Sequence, residues 1–170
     1  NQLLPSVADI ISRQFGFYHV GIFLNDQINQ YAALKASNSE GGRKMLSQGH
    51  RLRIGQVGIV GNVASTGKPR IALDTGEDAV FFNNPNLPET KSEMALPLKA
   101  GDQIIGVLDV QSTESAAFDS EDVEILSILA DQVSIAIENA HLFEEAQKSA
   151  ADAQSALRQY TRSDWHKLQK

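Results

Sequence analysis

Asp109 lies between Leu108 and Val110 in an otherwise apolar run. A carboxylate placed there is costly unless it is paired or hydrogen-bonded. Two chemistries would justify it. It accepts a hydrogen bond from a ligand donor, such as a ring N–H or a hydroxyl, or from an internal partner, such as a loop amide, a serine or His19. His19 sits in an alternating run and reads either as a satisfied structural histidine or as a ligand contact. These two side chains are the ones suited to acid–base work, and neither has a visible second partner in the sequence. No catalytic residue is assigned, and the chain is not expected to be an enzyme.

Residue type and spacing exclude other chemistries. The chain has no cysteine, which removes disulfide scaffolds, Cys-ligated zinc or iron–sulfur sites, thiol nucleophiles and thioether-linked chromophores. His19, His50, His141 and His166 never fall three or four residues apart, so no metal site is expected. His50 is expected to face solvent. The run Gly61–Pro69 (GNVASTGKP) mimics a phosphate-binding loop. However, five residues separate its glycines, and Pro69 follows Lys68 where Mg²⁺ binding needs a hydroxyl. No serine lies in a G-x-S-x-G elbow. With 15 Lys and Arg against 21 Asp and Glu, a net of −6, the chain lacks the basic excess of a nucleic-acid binder. No apolar run reaches the ~18–20 residues of a membrane span, and no signal peptide is visible. A cytoplasmic protein without membrane contact is expected. The start at Asn1 and the unfinished C-terminal pattern read as a piece of a longer chain.

Periodicity indicates the elements that must position Asp109 and His19. Residues 2–15 place Leu4, Val7, Ile11 and Phe15 at helical spacing, and Gly16 ends the run. Tyr18, Val20, Ile22 and Leu24 then alternate with Phe17, His19, Gly21 and Phe23, giving a strand with two unlike faces. A turn at 25–27 leads to a second strand over 31–36, completing a hairpin. Residues 39–49 read as a short helix or loop, 51–54 as a brief strand, 58–66 as a short helix stopped by Gly67, and 70–73 as another strand. Strands over 94–98 and 104–112 form an antiparallel hairpin. Residues 74–90 are irregular, and ~17 structureless residues inside a compact domain are usually functional or mobile. Phe81 and Phe82 in that stretch need cover, either as the apolar core of a lid or by stacking on a planar ligand. Helical patterns bracket the strands rather than alternate with them, so the fold class is α+β with a mostly antiparallel sheet.

Charge divides the chain unevenly. Residues 1–118 carry 10 basic and 11 acidic side chains; residues 119–170 carry 5 and 10. Such a shift marks a different structural unit. Asp119 and Ser120 offer an N-cap, and Glu121, Asp122 and Glu124 suit the positive end of a helix dipole. No Gly or Pro follows. A helix from Ser120 to about Tyr160 spans ~60 Å, about half of it beyond a globule roughly 35 Å across. Leu126, Ala130, Val133, Ile137 and Ala140 form a stripe suited to a sheet. Phe143, Ala146, Ala150, Ala153, Leu157 and Tyr160 then step three and four residues apart, the seam of a weak, close-packed coiled coil. An apolar seam in water needs a partner, so a parallel homodimer is expected, against the alternative of a lone solvated helix. Ser163 and Asp164 are expected to cap a further helix holding Trp165, leading to a downstream effector domain in the same chain.

Three stretches together resemble the GAF domain, a small-molecule sensor module of signalling proteins. They are Gly55–Pro69 (GQVGIVGNVASTGKP), Glu89–Leu98 (ETKSEMALPL) and Gly106–Glu145 (GVLDVQSTESAAFDSEDVEILSILADQVSIAIENAHLFEE), the last being the most specific. The resemblance covers about residues 1–145 and leaves 146–170 as a coiled-coil signalling linker. It is strongest to GAF domains of bacterial multi-domain sensors, often sensor histidine kinases. It implies a central antiparallel sheet with the terminal helices, 2–15 and from 120, on one face. Loops and short helices then cover a ligand pocket on the other. Comparison with cyclic-nucleotide-binding members implies pocket contacts at Gly21, Ile59, Phe82, Asn86, Thr90 and Asp109. Alternation adds His19 and Phe23 on the face of Gly21, and Val107 and Gln111 on that of Asp109, with Leu108 and Val110 toward the helices.

The departures from the family narrow the ligand. Cyclic-nucleotide binders carry an Asn-Lys pair after the last strand and an Asp-Glu after a Phe. This chain has Ser112-Thr113 and Asp119-Ser120 there, which argues against cyclic GMP or AMP. Phytochrome-type members hold a bilin through cysteine, and free-methionine-sulfoxide reductases of this fold need catalytic cysteines; a chain without cysteine fits neither. No proximal histidine is evident for haem, which is not expected, and the cofactor is unknown. The resemblance therefore implies a regulatory domain that senses a small molecule of unidentified kind and relays its state through a dimeric C-terminal helix. The alternative is a ligand-free dimerisation or spacer module whose pocket is filled by His19, Phe23, Phe81 and Phe82.

Overall fold

A computed structural model describes residues 2–78 and 81–168. Six strands form one antiparallel sheet: β1 (His19–Asn25), β2 (Tyr31–Ser37), β3 (Arg51–Arg53), β4 (Arg70–Ala72), β5 (Ser92–Ala100) and β6 (Gln103–Ser112), in the spatial order β3-β2-β1-β6-β5-β4. The helices are α1 (Leu3–Phe15), α2 (Glu40–Ser47), α3 (Gly58–Thr66) and α4 (Ser120–Leu168). The α+β fold class read from the sequence is the one observed, and α3 has the expected bounds. The segment expected as a short helix or loop over 39–49 is the helix α2, whose first turn is capped by Ser39 Oγ accepting the Gly42 N–H at 2.9 Å.

Strand alternation divides the sheet into two apolar layers. Val20, Ile22, Met94, Leu96, Leu108 and Val110 are fully buried on one face. On the other, His19, Gly21, Phe23, Ala95, Val107, Asp109 and Gln111 share the opposite parity. There α3 packs on β5 and β6. Phe23, Leu34, Met45, Ile59 and Val63 join one apolar cluster on that side. Each such side chain contributes about 1.5–3 kcal/mol by leaving water, so the polar residues among them are held in a rigid apolar frame.

The chain divides into two compact units, residues 1–134 and 135–170. In the first, α4 begins with a reciprocal cap. Asp119 Oδ1 accepts the N–H groups of Glu121 and Asp122 at 2.9 and 3.0 Å, and Asp122 Oδ2 accepts that of Asp119 at 3.0 Å. Leu126, Ala130 and Val133 are buried, and Ser134 Oγ accepts the Lys99 N–H at 2.9 Å. In the second unit the helix runs on to Leu168, which corrects the expected break at Ser163-Asp164. With no Gly or Pro to interrupt the i→i−4 ladder, a mid-helix Ser or Asp costs at most about 0.7 kcal/mol. Among the described residues, no helix is long and apolar enough to cross a membrane.

Candidate functional site

Register brings the chemistry together. Two adjacent rows cross the same face of the sheet. One runs Ala72, Glu93, Gln111, His19; the next runs Arg70, Ala95, Asp109, Gly21. Asp109 therefore lies between the two smallest side chains of its row, with Glu93 and His19 diagonally across on either side. Gly21 lets the histidine pack close over the strand, since a Cβ there would press on His19 Nε2 at 3.0 Å.

A hydrogen-bond chain orients Asp109. Thr90 Oγ1 donates to Gln111 Oε1 at 2.6 Å, which turns the Gln111 amide so that Nε2 donates to Asp109 Oδ2 at 2.7 Å. His19 is held from the far side, its Nδ1 lying 2.7 Å from Ser39 Oγ and 3.3 Å from Ser37 Oγ. Its Nε2 stands 3.8 Å from Asp109 Oδ2, too far for a hydrogen bond. Among the described residues, nothing bonds His19 Nε2 or Asp109 Oδ1, although both atoms are buried.

Burial sets the charge state. Asp109 is pushed up to about 6, mainly by desolvation and against the bonds from Glu93 and Gln111. Glu93 is raised well above the ordinary carboxyl range, by desolvation first and then by the charge of Asp109. His19 is lowered to about 4 by desolvation and by His50. Both carboxyls therefore keep their protons to higher pH than free ones do, and His19 is neutral near pH 7.

The long loop closes over this set. Thr75 Oγ1 donates to Thr90 O at 3.1 Å, and Arg70 Nη2 donates to both oxygens of Asp78 at 3.1 and 3.2 Å. Asn84 Oδ1 accepts the Asn86 N–H at 3.0 Å, and Leu87 is buried against the apolar cluster. Beneath the loop a cavity of about 30 Å³ remains, enough for one or two waters or a compact polar headgroup.

Of the residues expected at the pocket, His19, Phe23, Ile59, Phe82 and Asp109 line this cavity. Gly21 backs His19, Thr90 holds Gln111, and Asn86 serves the loop through its backbone. Phe82 remains 41% exposed, whereas Phe81 packs on the core cluster. His50, expected to face solvent, lines the cavity with its ring at the edge of Phe23, 6.3 Å between centroids. The polar run around it hid the fact that β2 and β3 bring it under the loop. Glu93 was missed altogether. Its signal was available: it has the parity of Ala95 and Pro97, so extending β5 by two residues puts it on the pocket face. Among the described residues, no group of His, Asp and Glu is placed to hold a metal ion.

Ser39 couples helix and site, because one hydroxyl both caps α2 and meets His19. Ser39→Ala is expected to lower unfolding stability by about 1–2 kcal/mol, one cap plus one buried hydrogen bond. The midpoint of urea denaturation reads this; an unchanged midpoint would show that neither bond matters.

A family model described as GAF domain matches residues 1–138. Among solved structures, the GAF domain from a phosphoenolpyruvate-protein phosphotransferase of Coxiella burnetii superposes with a TM-score of 0.75 at 20% identity, covering 85% of this chain and 85% of that one. The free methionine-R-sulfoxide reductase of Neisseria meningitidis, solved in complex with its substrate, gives 0.71 at 23% identity, covering 84% and 81%. The second GAF domain of DevS from Mycobacterium smegmatis gives 0.68 at 18% identity, covering 85% and 97%. At these identities the likeness shows the fold alone. No curated protein matches the chain.

Proposed function

The chain belongs to the GAF domain family, and we propose that it is a regulatory module that binds a small molecule between the sheet and the 74–90 loop and passes its occupancy to α4. The observation that carries this reading is the buried polar set under a closable loop, with Asp109 Oδ1 and His19 Nε2 left without partners. A buried acceptor without a donor costs about 1–3 kcal/mol. A ligand donor would recover that cost, and would couple binding to closure of the loop.

The relay rests on the seam. Phe143, Ala146, Ala150, Ala153, Leu157 and Tyr160 are all exposed within this chain, and a second copy in a parallel coil would cover them. The output is a downstream domain of the same chain in a signalling protein such as a sensor histidine kinase. The module is non-catalytic in this reading: His19, Glu93 and Asp109 are its buried acid–base groups, and it has no thiol. One observation favours the spacer alternative, namely that the closed cavity is only about 30 Å³.

A native mass spectrum of the purified protein tests both readings together. A dimer carrying an added small mass supports sensing; a dimer with no added mass supports the spacer. Phe143→Glu combined with Ala150→Glu is expected to convert the dimer to a monomer in sedimentation velocity, because each charge would lie in a close-packed apolar seam. A doubly substituted protein that stays dimeric would place the interface elsewhere.

A further inference from the structure

The cavity is acidic and lacks a counter-charge. Its ionisable lining residues are Glu93, Asp109, His19 and His50, and burial keeps both imidazoles in their neutral form. No Lys or Arg lines it among the described residues. The nearest guanidinium in the same row, that of Arg70, is engaged with Asp78. Asp109 is 1% exposed and Glu93 5%, so neither carboxyl relies on water. An ionised carboxylate is an acceptor only, and Gln111 satisfies one oxygen of Asp109 while the other stands bare. Folding alone gives no reason for two acids at adjacent diagonal positions; two amides would complete the same network without the desolvation cost.

We propose that the cavity binds the head of a small organic cation, a primary ammonium or an amidinium, between the carboxyls of Asp109 and Glu93. An ammonium offers three donors and no acceptor, which suits a site made of acceptors. Its head is close to a water in size and fits the space under the closed loop. The charge balances. Burial raises both carboxyls, and a carboxyl proton displaced by the cation leaves to solvent, so one positive charge is exchanged for another. The apolar tail of such a ligand would lie along Phe23, Ile59, Phe81 and Leu87, with the loop seated over it. The groups facing the pair are His19 from β1, Gln111 from β6, His50 beside Phe23, and Asp78 from the loop, whose charge reaches Glu93. This inference rests on the small-molecule reading above and specifies its ligand class.

Three probes of one chain length test it: n-butylammonium, n-butanol and butyrate. Each is titrated calorimetrically at pH 7.5 in buffers of differing ionisation enthalpy, with hydrogen exchange of residues 81–91 followed in parallel. The expected result is that n-butylammonium alone binds, protects the loop and releases close to one proton. Glu93→Gln should abolish the proton release. Asp109→Asn should weaken binding roughly 10- to 100-fold, the value of a hydrogen bond to a charged group. Binding of n-butylammonium without proton release, or unaltered in both variants, overturns the proposal. Preferential binding of butanol or butyrate under the loop overturns the cation class and leaves the small-molecule reading standing. No protection of the loop by any of the three overturns both.

Discussion

Asp109→Asn is expected to stabilise the protein at pH 8 and to leave it nearly unchanged at pH 4. The folded carboxyl is raised from 3.8 to about 6 by desolvation. The native state therefore holds a proton that the unfolded chain gives up, and the stability this contributes is fully present below the unfolded value. It is lost as pH rises through the folded one. A rise of that size corresponds to about 3 kcal/mol. Glu93, raised well above 4.5, extends the same loss to higher pH. His19 works in the opposite sense. Lowered from 6.5 to about 4, its contribution is complete above 6.5 and is lost as pH falls toward 4. Between pH 4 and 6 the Asp109 and His19 trends oppose each other, and above 6.5 only the Glu93 trend remains. Wild-type stability should thus change little between pH 4 and 6.5, and Glu93 alone gives a further decline above that range. The Asp109→Asn variant lacks the Asp109 loss and should instead gain stability as pH rises from 4 to 6.5, ending about 3 kcal/mol or ~6–12 °C in thermal midpoint above wild type at pH 8. Thermal unfolding of both proteins across pH 4–8 decides it. If the substitution destabilises equally at both ends, Asp109 is held by a partner rather than left with an uncompensated charge. A group that costs stability in the empty state is what a binding site tuned for a ligand displays.

Gly41→Ala is the second large effect, and its sign separates local from tertiary control. In an isolated helix this change adds about 1 kcal/mol of stability. Here a Cβ on Gly41 would overlap the Asn86 carbonyl oxygen and press on Leu87 Cδ2 at 3.0 Å. A backbone carbonyl cannot swing aside like a side chain, so the loop around Asn86 and Leu87 must lift from α2. Unseating Leu87, now 4% exposed, costs up to about 2–3 kcal/mol, which outweighs the gain in helix propensity. Net destabilisation of the closed loop by about 1–2 kcal/mol should raise amide exchange over residues 81–91 about 5- to 30-fold, while amides in β1 and β6 keep their protection. Stabilisation with unchanged loop exchange would show that the loop is not seated on α2.

Much of the architecture was legible because its signals are local. The helix α3 has its stop at Gly67, and the strand β1 shows two unlike faces within seven residues. Parity grouped His19, Gly21 and Phe23 on one face of β1 and Val107, Asp109 and Gln111 on one face of β6, since successive side chains must point to opposite faces, and the resemblance to GAF domains joined the two groups. The cost of a carboxylate between Leu108 and Val110 was likewise readable from its neighbours. What a residue faces across the sheet was not readable. His19 meets Asp109 because β1 pairs with the distant β6 in the register Gly21–Asp109. Glu93 joins them because β5 starts at Ser92 rather than at Met94, which sets Glu93 beside Gln111. His50 turns inward because β3 closes the sheet edge over the same cluster. Alternation is a property of one backbone and is written in any few consecutive residues. Register is a property of pairs of strands, selected by how all the apolar rows pack at once. The sequence alone determined which groups share a face within each strand, and the tertiary structure decided that two acids and a neutral histidine share one buried site.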